Sequence, residues 1–328
     1  MPGRPAVPCH HRRTHRNLPL DARRAIRNDA ANRPERLLMT SPLQTLTLAD
    51  DLRISRMGYG AMQLTGPGVY GPPKDRAEAI GVLRAAVELG VTHIDTSDFY
   101  GPVVVNELIR EALHPYPADL HIVTKVGVRR SAGGGWITSL DPADLKAQVH
   151  ENLQHLGLET LDVVNLRTAS FGGDASSVAE PFGALADLRE QGLIRHLGLS
   201  GITESQLTQA QAIAPVVTVQ NQYNLADRAD DDLVDRCAEE GIAYAAFFPL
   251  GGGFSPLRSR ILRDVAHRLG ATEQQVALAW LLQRSPSMVL IPGTSSVAHL
   301  RENIAAAELR LPDEAVVELD TIGQIAER

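Results

Sequence analysis

From about residue 41 the chain alternates between two hydrophobic periods. Short runs rich in β-branched and apolar residues end in polar or Gly positions, and each leads into a stretch with apolar residues at helical spacing. The runs at 57–64, 92–97, 121–126, 161–167, 195–200, 216–223, 242–250 and 288–292 predict strands. The stretches at 75–90, 106–113, 144–156, 179–191, 204–213, 230–240 and 272–284 predict helices. Gly90, Gly157, Gly192, Gly241 and Gly270 each fall just past a periodic stretch, where a left-handed residue commonly ends a helix. Asp141-Pro142 and Thr203-Glu204 read as helix starts.

Eight β/α units over roughly 240 residues is the length of a closed barrel, so the predicted class is α/β, a (β/α)8 TIM barrel. The counts alone leave an open doubly wound sheet as a rival, which would place a phosphate loop after its first strand. Residues 43–48 and 52–56 alternate around Asp50-Asp51 and predict an N-terminal β-hairpin. Two extra helices are expected at 259–270 and 312–325, and no Pro-, Gly- or Ser-rich linker divides 41–328, which reads as one domain.

Charge changes the picture at the amino end. Residues 1–40 carry nine arginines against Asp21, Asp29 and Glu35, so the rest of a chain of net charge −7 is strongly acidic. An acidic body argues against nucleic-acid binding. The first forty residues read as a disordered basic extension or an over-long start with Met39 as initiator; a basic arm or a targeting peptide are the rivals. A hydrophobic share of 44% supports a large core, and no uncharged apolar run approaches the roughly 18 residues of a membrane span. Cys9 and Cys237 are too few for a disulfide framework, which fits a reducing, cytoplasmic setting.

Several signals look like chemistry and are read otherwise. Residues 66–71 spell G-x-G-x-x-G, but Pro67 lies inside and Pro72-Pro73 follow, so a loop over the barrel mouth is expected rather than a dinucleotide fingerprint. The glycine runs 133–135 and 251–253 read as flexible loops without a Lys-Ser/Thr partner. His10-His11 find no further ligands at metal spacing. Asp230, Asp231 and Asp232 read as a solvated first helical turn, and the helix with Val276, Ala279, Trp280 and Gln283 as core-facing.

The strand ends carry a sharper pattern. In a parallel barrel chemistry gathers at the carboxyl face. Asp95 and Tyr100 follow the second predicted strand, Lys125 lies near the end of the third, and Arg167 ends the fourth. Neighbouring strands lie about 4.8 Å apart, so the four can converge. The only lysines are Lys74, Lys125 and Lys146, so a chain that otherwise uses arginine keeps a lysine inside an apolar strand. An ammonium beside a phenol lowers the tyrosine pKa from its ordinary value of about 10, and Asp95 would balance the ammonium. Tyr100 is thereby the candidate general acid for a carbonyl oxygen. Met62, Tyr70, Trp136 and Phe171 are candidate pocket-lining residues.

Residues 93–101, His-Ile-Asp-Thr-Ser-Asp-Phe-Tyr-Gly, with Asn106-Glu107 after them, resemble the signature of the aldo-keto reductase superfamily. Leu199-Ser200, Gln220, Phe248-Pro249-Leu250-Gly251, Ile291-Pro292-Gly293-Thr294 and Leu300-Arg301-Glu302-Asn303 follow in family order, so the resemblance runs from about residue 43 to about 326. Residues 58–63, 162–167 and 247–249 most resemble the bacterial pyridoxal reductase (pyridoxine 4-dehydrogenase) branch. The resemblance implies a barrel that binds extended NADP(H), with Asp95, Tyr100 and Lys125 catalytic. It implies that Ser200 and Gln220 hold the nicotinamide carboxamide beside Asp95 and that the Phe247 ring stacks on the nicotinamide. Gly60, Ala61, Met62, Pro249, Leu250 and Gly251 would border the cofactor. Gly293, Thr294, Ser295 and His299 would follow its 2′-phosphate end, with Glu302 and Asn303 at the adenine.

Three positions depart from the family. Arg167 stands at what the resemblance implies is the fourth catalytic position, where a histidine is usual, with Asn165 two residues earlier on the same strand face as the alternative. Arginine stays charged, so it can orient a carbonyl oxygen or attract an anionic ring oxygen but cannot relay a proton. Gly201 replaces the asparagine usual after the serine, and 293–296 lack the basic residue frequent in the 2′-phosphate loop. The resulting expectation is an NADPH-dependent reductase converting pyridoxal to pyridoxine, with an aldehyde or ketone substrate, no nucleic-acid or membrane partner, and a monomer or weak homo-oligomer. An NADPH-sensing regulator on the same scaffold is the rival, and a barrel hydrolase a more distant one.

Overall fold

The computed structural model describes residues 43–168, 176–252 and 257–325. The first forty residues, and with them the readings of the basic segment and of His10-His11, lie outside the described residues, as does Phe171.

A hairpin opens the body. β1 (Thr45–Leu48) pairs antiparallel with β2 (Leu52–Ser55), as the alternation around Asp50-Asp51 predicted. Leu48, Leu52 and Ile54 pack on Val123, Val163, Val217, Ala243 and Val289, so the hairpin plugs the amino end of the barrel with apolar surface.

Eight parallel strands form the wall: β3 (Tyr59–Gly60), β4 (His93–Asp95), β5 (His121–Val126), β8 (Leu161–Arg167), β9 (Ile194–Ser200), β10 (Val216–Gln222), β11 (Ala243–Phe247) and β12 (Met288–Leu290). β6 and β7, described below, stand outside this sheet. The first and last wall strands meet through a parallel bridge between Met57 and Leu290. There Gly58 donates to the Leu290 carbonyl at 2.8 Å, and Leu290 donates to that of Arg56 at 2.8 Å. The eightfold (β/α) reading is therefore borne out.

β3 is much shorter than its predicted run. Residues 61–64 coil into a 3₁₀ turn just past the point where the backbones touch at the seam. A Cβ on Gly60 would sit 2.4 Å from the Ile291 carbonyl oxygen, and one on Gly293 would sit 2.6 Å from that of Gly60.

The helices α1 (Arg76–Glu88), α2 (Val104–Leu113), α3 (Pro142–Leu156), α4 (Ala179–Glu190), α5 (Glu204–Gln211), α6 (Asp231–Glu239) and α8 (Glu273–Arg284) fall where the periodicity placed them. Asp75 and Asp141 accept first-turn amides, and Thr203 with Gln206 and Thr272 with Gln275 form capping boxes. Both extra helices are present, as α7 (Arg260–Leu269) and α10 (Asp313–Ile325). Between α8 and α10 the structure adds α9 (Val297–Ala305), whose short buried stripe of Leu300, Asn303 and Ile304 gave little periodic signal. Trp280 is buried as expected and donates its indole N–H to Asp320 at 2.9 Å.

Two sequence readings are corrected here. The glycine run 133–135 is not a flexible loop but the turn of an antiparallel hairpin, β6 (Val128–Arg130) with β7 (Trp136–Thr138). Ser131 and Gly135 are tied by two backbone amides, one to a carbonyl and one to the Ser131 hydroxyl. Nor is the acidic turn 230–232 simply solvated. Asp230 accepts from Asn221 at 2.6 Å and the Tyr244 hydroxyl at 2.8 Å, and Asp231 accepts from Tyr223 and Arg228. Polar tyrosine tips on the neighbouring strands needed acceptors, which a helical-wheel reading does not see.

Inside the barrel, Gly198 of β9 lies between Asn165 of β8 and Thr218 of β10, which hydrogen-bond to each other at 2.9 Å. An added Cβ would meet Asn165 Oδ1 at 2.0 Å and the Thr218 backbone oxygen at 2.9 Å. Gly198→Ala is expected to lower stability by about 1–3 kcal/mol through overpacking, read as a lowered denaturation midpoint; an unchanged midpoint would contradict this packing.

Candidate active site

The wall strands end together around a cavity of about 700 Å³. Asp95, Tyr100, Lys125 and Arg167 all line it, with Gln220 and Phe247 from β10 and β11. Strand alternation explains why Lys125 and Arg167 face inward while Val126 and Leu166 beside them point away.

A chain of polar contacts crosses the floor. Lys125 Nζ donates to Asp95 Oδ2 at 2.6 Å and to the Thr96 carbonyl at 3.0 Å. Asp95 Oδ1 accepts from Gln220 Nε2 at 2.7 Å. Ser200 Oγ reaches Gln220 Oε1 at 3.5 Å and accepts from Arg167 Nη1 at 3.0 Å. Five strands thus contribute one side chain each to a continuous network. Arg167 also stacks on Phe247, its guanidinium carbon 5.2 Å from the ring centroid. Asn165, the other occupant considered for the fourth catalytic position, is fully buried and does not line the cavity.

Tyr100 sits on the turn after β4 as a buried residue, 7% exposed, and Lys125 Nζ lies 5.2 Å from the ring centroid. The expected direction of its pKa is corrected. Burial pushes the phenol above its ordinary value, while the charges of Lys125 and Arg167 pull it back only in part and Asp95 pushes it further up. The sequence showed the ammonium but not the loss of water around the ring.

The turn is held from behind. Thr96 Oγ1 donates to Asn106 Oδ1, and Asn106 Nδ2 donates to Asp98 and to Asn152, each at 2.9–3.0 Å. Asn152 also accepts from Thr124 at 2.6 Å, and His155 lies 2.8 Å from Asp98. His93 takes no part in this chemistry: burial pushes it down to about 4, and it packs as a neutral ring against Gly58.

The remaining expected positions divide. Gly60, Met62, Pro249, Leu250, Gly251 and Gly293 line the cavity with Asp95 and Gln220, whereas Ala61 and Ser200 are fully buried behind its surface. Thr294, Ser295, His299, Glu302 and Asn303 lie beyond it, on the loop after β12 and on α9, with Ser295 and His299 exposed and Thr294 and Asn303 buried. Among the pocket candidates Met62 and Trp136 line the cavity, and Tyr70 stands outside against Arg130. Gln222, which donates to Asp227 at 2.7 Å, was missed although it repeats Gln220 two residues on along β10. Gln63 and Phe99 line it as well.

With this geometry in view, a model of the Aldo/keto reductase family matches residues 56–324. The chain belongs to the aldo/keto reductase family. It is 57% identical to pyridoxine 4-dehydrogenase of Escherichia coli over 274 residues, covering 83% of this chain and 96% of that one. An uncharacterized oxidoreductase of Schizosaccharomyces pombe is 38% identical over 274 residues, covering 84% and 88%. Among solved structures, a thermostable aldo-keto reductase in complex with the inhibitor epalrestat shares 30% identity at a TM-score of 0.73, covering 86% of this chain and all of that one. A Klebsiella pneumoniae aldo/keto reductase in complex with NADP and acetate shares the fold at 23% identity and a TM-score of 0.70, covering 85% and 95%. The protein is thus an oxidoreductase of this family, and no helix among its described residues is long and apolar enough to cross a membrane.

The buried pair makes a sharp energetic statement. Lys125 and Asp95 side chains are 3% and 5% exposed, so removing one charge strands the other without water. Lys125→Met is expected to destabilise by about 3–5 kcal/mol, and adding Asp95→Asn should recover most of that in chemical denaturation. Purely additive losses would show that the two charges do not depend on each other.

Proposed function

We propose that the protein is an NADP(H)-dependent carbonyl reductase whose preferred substrate is pyridoxal, reduced to pyridoxine with Tyr100 as the proton donor. The observation that carries this reading is the buried Tyr100 phenol beside Lys125, itself anchored by Asp95, at the closed end of a cavity large enough for an aromatic aldehyde. The 57% identity to pyridoxine 4-dehydrogenase supports the substrate.

The residues present fit a nicotinamide dinucleotide. Gly60 and Gly293, packed backbone against backbone at the seam, border the cavity and put peptide groups rather than side chains along that edge. Gln220 lines the cavity and offers an amide partner for a carboxamide, with Ser200 buried behind it and bonded to it, and Phe247 offers a ring face. Loop 293–296 and α9, with His299, would take the adenosine phosphate end. When bound, the cofactor supplies hydride to the aldehyde carbon; the protein supplies orientation and the proton.

Tyr100 meets the carbonyl oxygen as a protonated phenol, because burial keeps its proton on at neutral pH. As negative charge develops on the phenol oxygen, the Lys125 ammonium and Arg167 guanidinium stabilise it. Asp95 holds Lys125 at fixed height, and Gln220 holds Asp95, so neither charge must reorganise. Arg167, permanently charged and facing the cavity, attracts the ring oxygen anion of a pyridoxal-like substrate.

Two measurements test this. Tyr100→Phe is expected to lower pyridoxal reduction by at least about a thousandfold while NADPH still binds within about threefold, read by NADPH oxidation and by fluorescence titration. Near-normal turnover by that variant, or no turnover of any aldehyde by the parent protein, would overturn the reading. The raised Tyr100 pKa also sets a direction with pH. Reduction needs the phenol and should stay nearly flat from about pH 6 to about pH 9, whereas pyridoxine oxidation needs the phenolate and should climb across that range. Oxidation that falls with rising pH would contradict it.

A further inference from the structure

Arg130 has no part in the chemistry above, yet its guanidinium ties together segments that border the cavity. Its neighbour Arg129 makes ordinary ion pairs with Asp144 and Glu151. Arg130 instead donates to four backbone carbonyls, on two other segments and on the turn of its own hairpin. Nη1 reaches Val69 at 2.7 Å and Phe99 at 3.5 Å, Nη2 reaches Gly68 at 3.0 Å and Gly134 at 2.7 Å, and Nε reaches Gly134 at 3.2 Å. The guanidinium carbon lies 4.0 Å from the Trp136 ring centroid and 5.4 Å from that of Tyr70.

The tied segments are the ones that border the entrance. Val69, Phe99 and Trp136 line the cavity. Phe99 meets Tyr100 edge-on at 5.3 Å and Trp136 edge-on at 5.6 Å, so rings run unbroken from the proton donor to the rim. The 67–71 turn does not rest easily by itself: Val69 has φ +57°, a region a β-branched residue rarely adopts. Trp136 is 52% exposed and Ile137 49%, so their position depends on the hairpin and on what grips it rather than on burial.

We propose that Arg130 is a positioning residue that sets substrate specificity at the mouth. By fastening the 67–71 turn, Phe99 and the β6–β7 hairpin tip together, it holds Val69, Phe99 and Trp136 as a fixed apolar wall for ring-bearing aldehydes. Small aliphatic aldehydes, reacting near Tyr100 without reaching the rim, do not use that wall. The inference rests on the cavity being the carbonyl site.

The test compares Arg130→Met, which keeps the apolar stem but loses every donor, with Arg130→Lys, whose single ammonium cannot span four carbonyls. Steady-state kinetics with NADPH use pyridoxal and benzaldehyde against propanal. Acrylamide quenching reports Trp136 without any turnover, since Trp280, the other tryptophan, is buried. Arg130→Met is expected to raise KM for both ring aldehydes about tenfold, to leave kcat within about twofold and propanal kinetics unchanged, and to increase quenching. Arg130→Lys should move in the same direction by less. Equal losses for propanal and ring aldehydes, or quenching unchanged in both variants, would overturn the proposal. Failure of the reductase reading would be distinct, because the parent protein would then turn over none of the three aldehydes while the quenching arm still reported on the wall.

Discussion

The buried ion pair between Lys125 and Asp95 is the constraint around which this site is built. Two charges lifted out of water at the end of adjacent strands are tolerated only if they meet each other and further hydrogen-bond partners. The barrel provides both, a 2.6 Å contact across β4 and β5, with the Thr96 carbonyl completing one side and Gln220 the other. Register makes this work. Asp95 and Lys125 come from strands two and three of the wall, and Ser200 and Gln220 from strands five and six, so the network closes across the barrel lumen rather than along one sheet edge. A parallel barrel is the architecture in which strands far apart in sequence deliver side chains to one point.

The same burial that strengthens the pair acts against the phenol. Tyr100 lies in the dry environment that fixes Lys125, and dehydration disfavours its charged form more than the two nearby cations favour it. The result suits an acid that must keep its proton until a carbonyl oxygen arrives. In the proposed reaction the cations would instead stabilise charge as it develops, which needs fixed geometry more than it needs a lowered resting pKa. The polar bracing by Asn106, Asn152 and Asp98 behind the turn holds Tyr100 in place, and Phe99 meets its ring edge-on.

Arg167 gives the site its individual character. In the proposed reaction a guanidinium at the position where the family resemblance implies a histidine would remove one route for proton exchange and add a permanent positive charge beside the carbonyl. Its bond to Ser200 and its stack on Phe247 keep that charge on the cavity side of the strand end. The site therefore combines an apolar wall with a cationic back, the combination on which the proposal of a pyridoxal-like substrate draws.

Much of this was legible in the residues alone. Helix and strand positions, the plugging hairpin, the two added helices and the convergence of Asp95, Tyr100, Lys125 and Arg167 follow from periodicity and from the rule that strand ends meet on one face, because both are local or topological properties. What escaped the sequence depends on environment. The direction of the Tyr100 pKa required knowing how much water its ring loses. The shortness of β3 required knowing that Gly60 and Gly293 meet across the seam. The ordered turn at 133–135 and the gripping role of Arg130 required knowing which carbonyls lie within reach of a guanidinium from another loop. Sequence alone determined which groups could meet, since pattern and order along the chain set strand sequence and facing. Only the tertiary structure decided what each group experiences there, because solvation and long-range contacts are sums over neighbours that are distant in the chain.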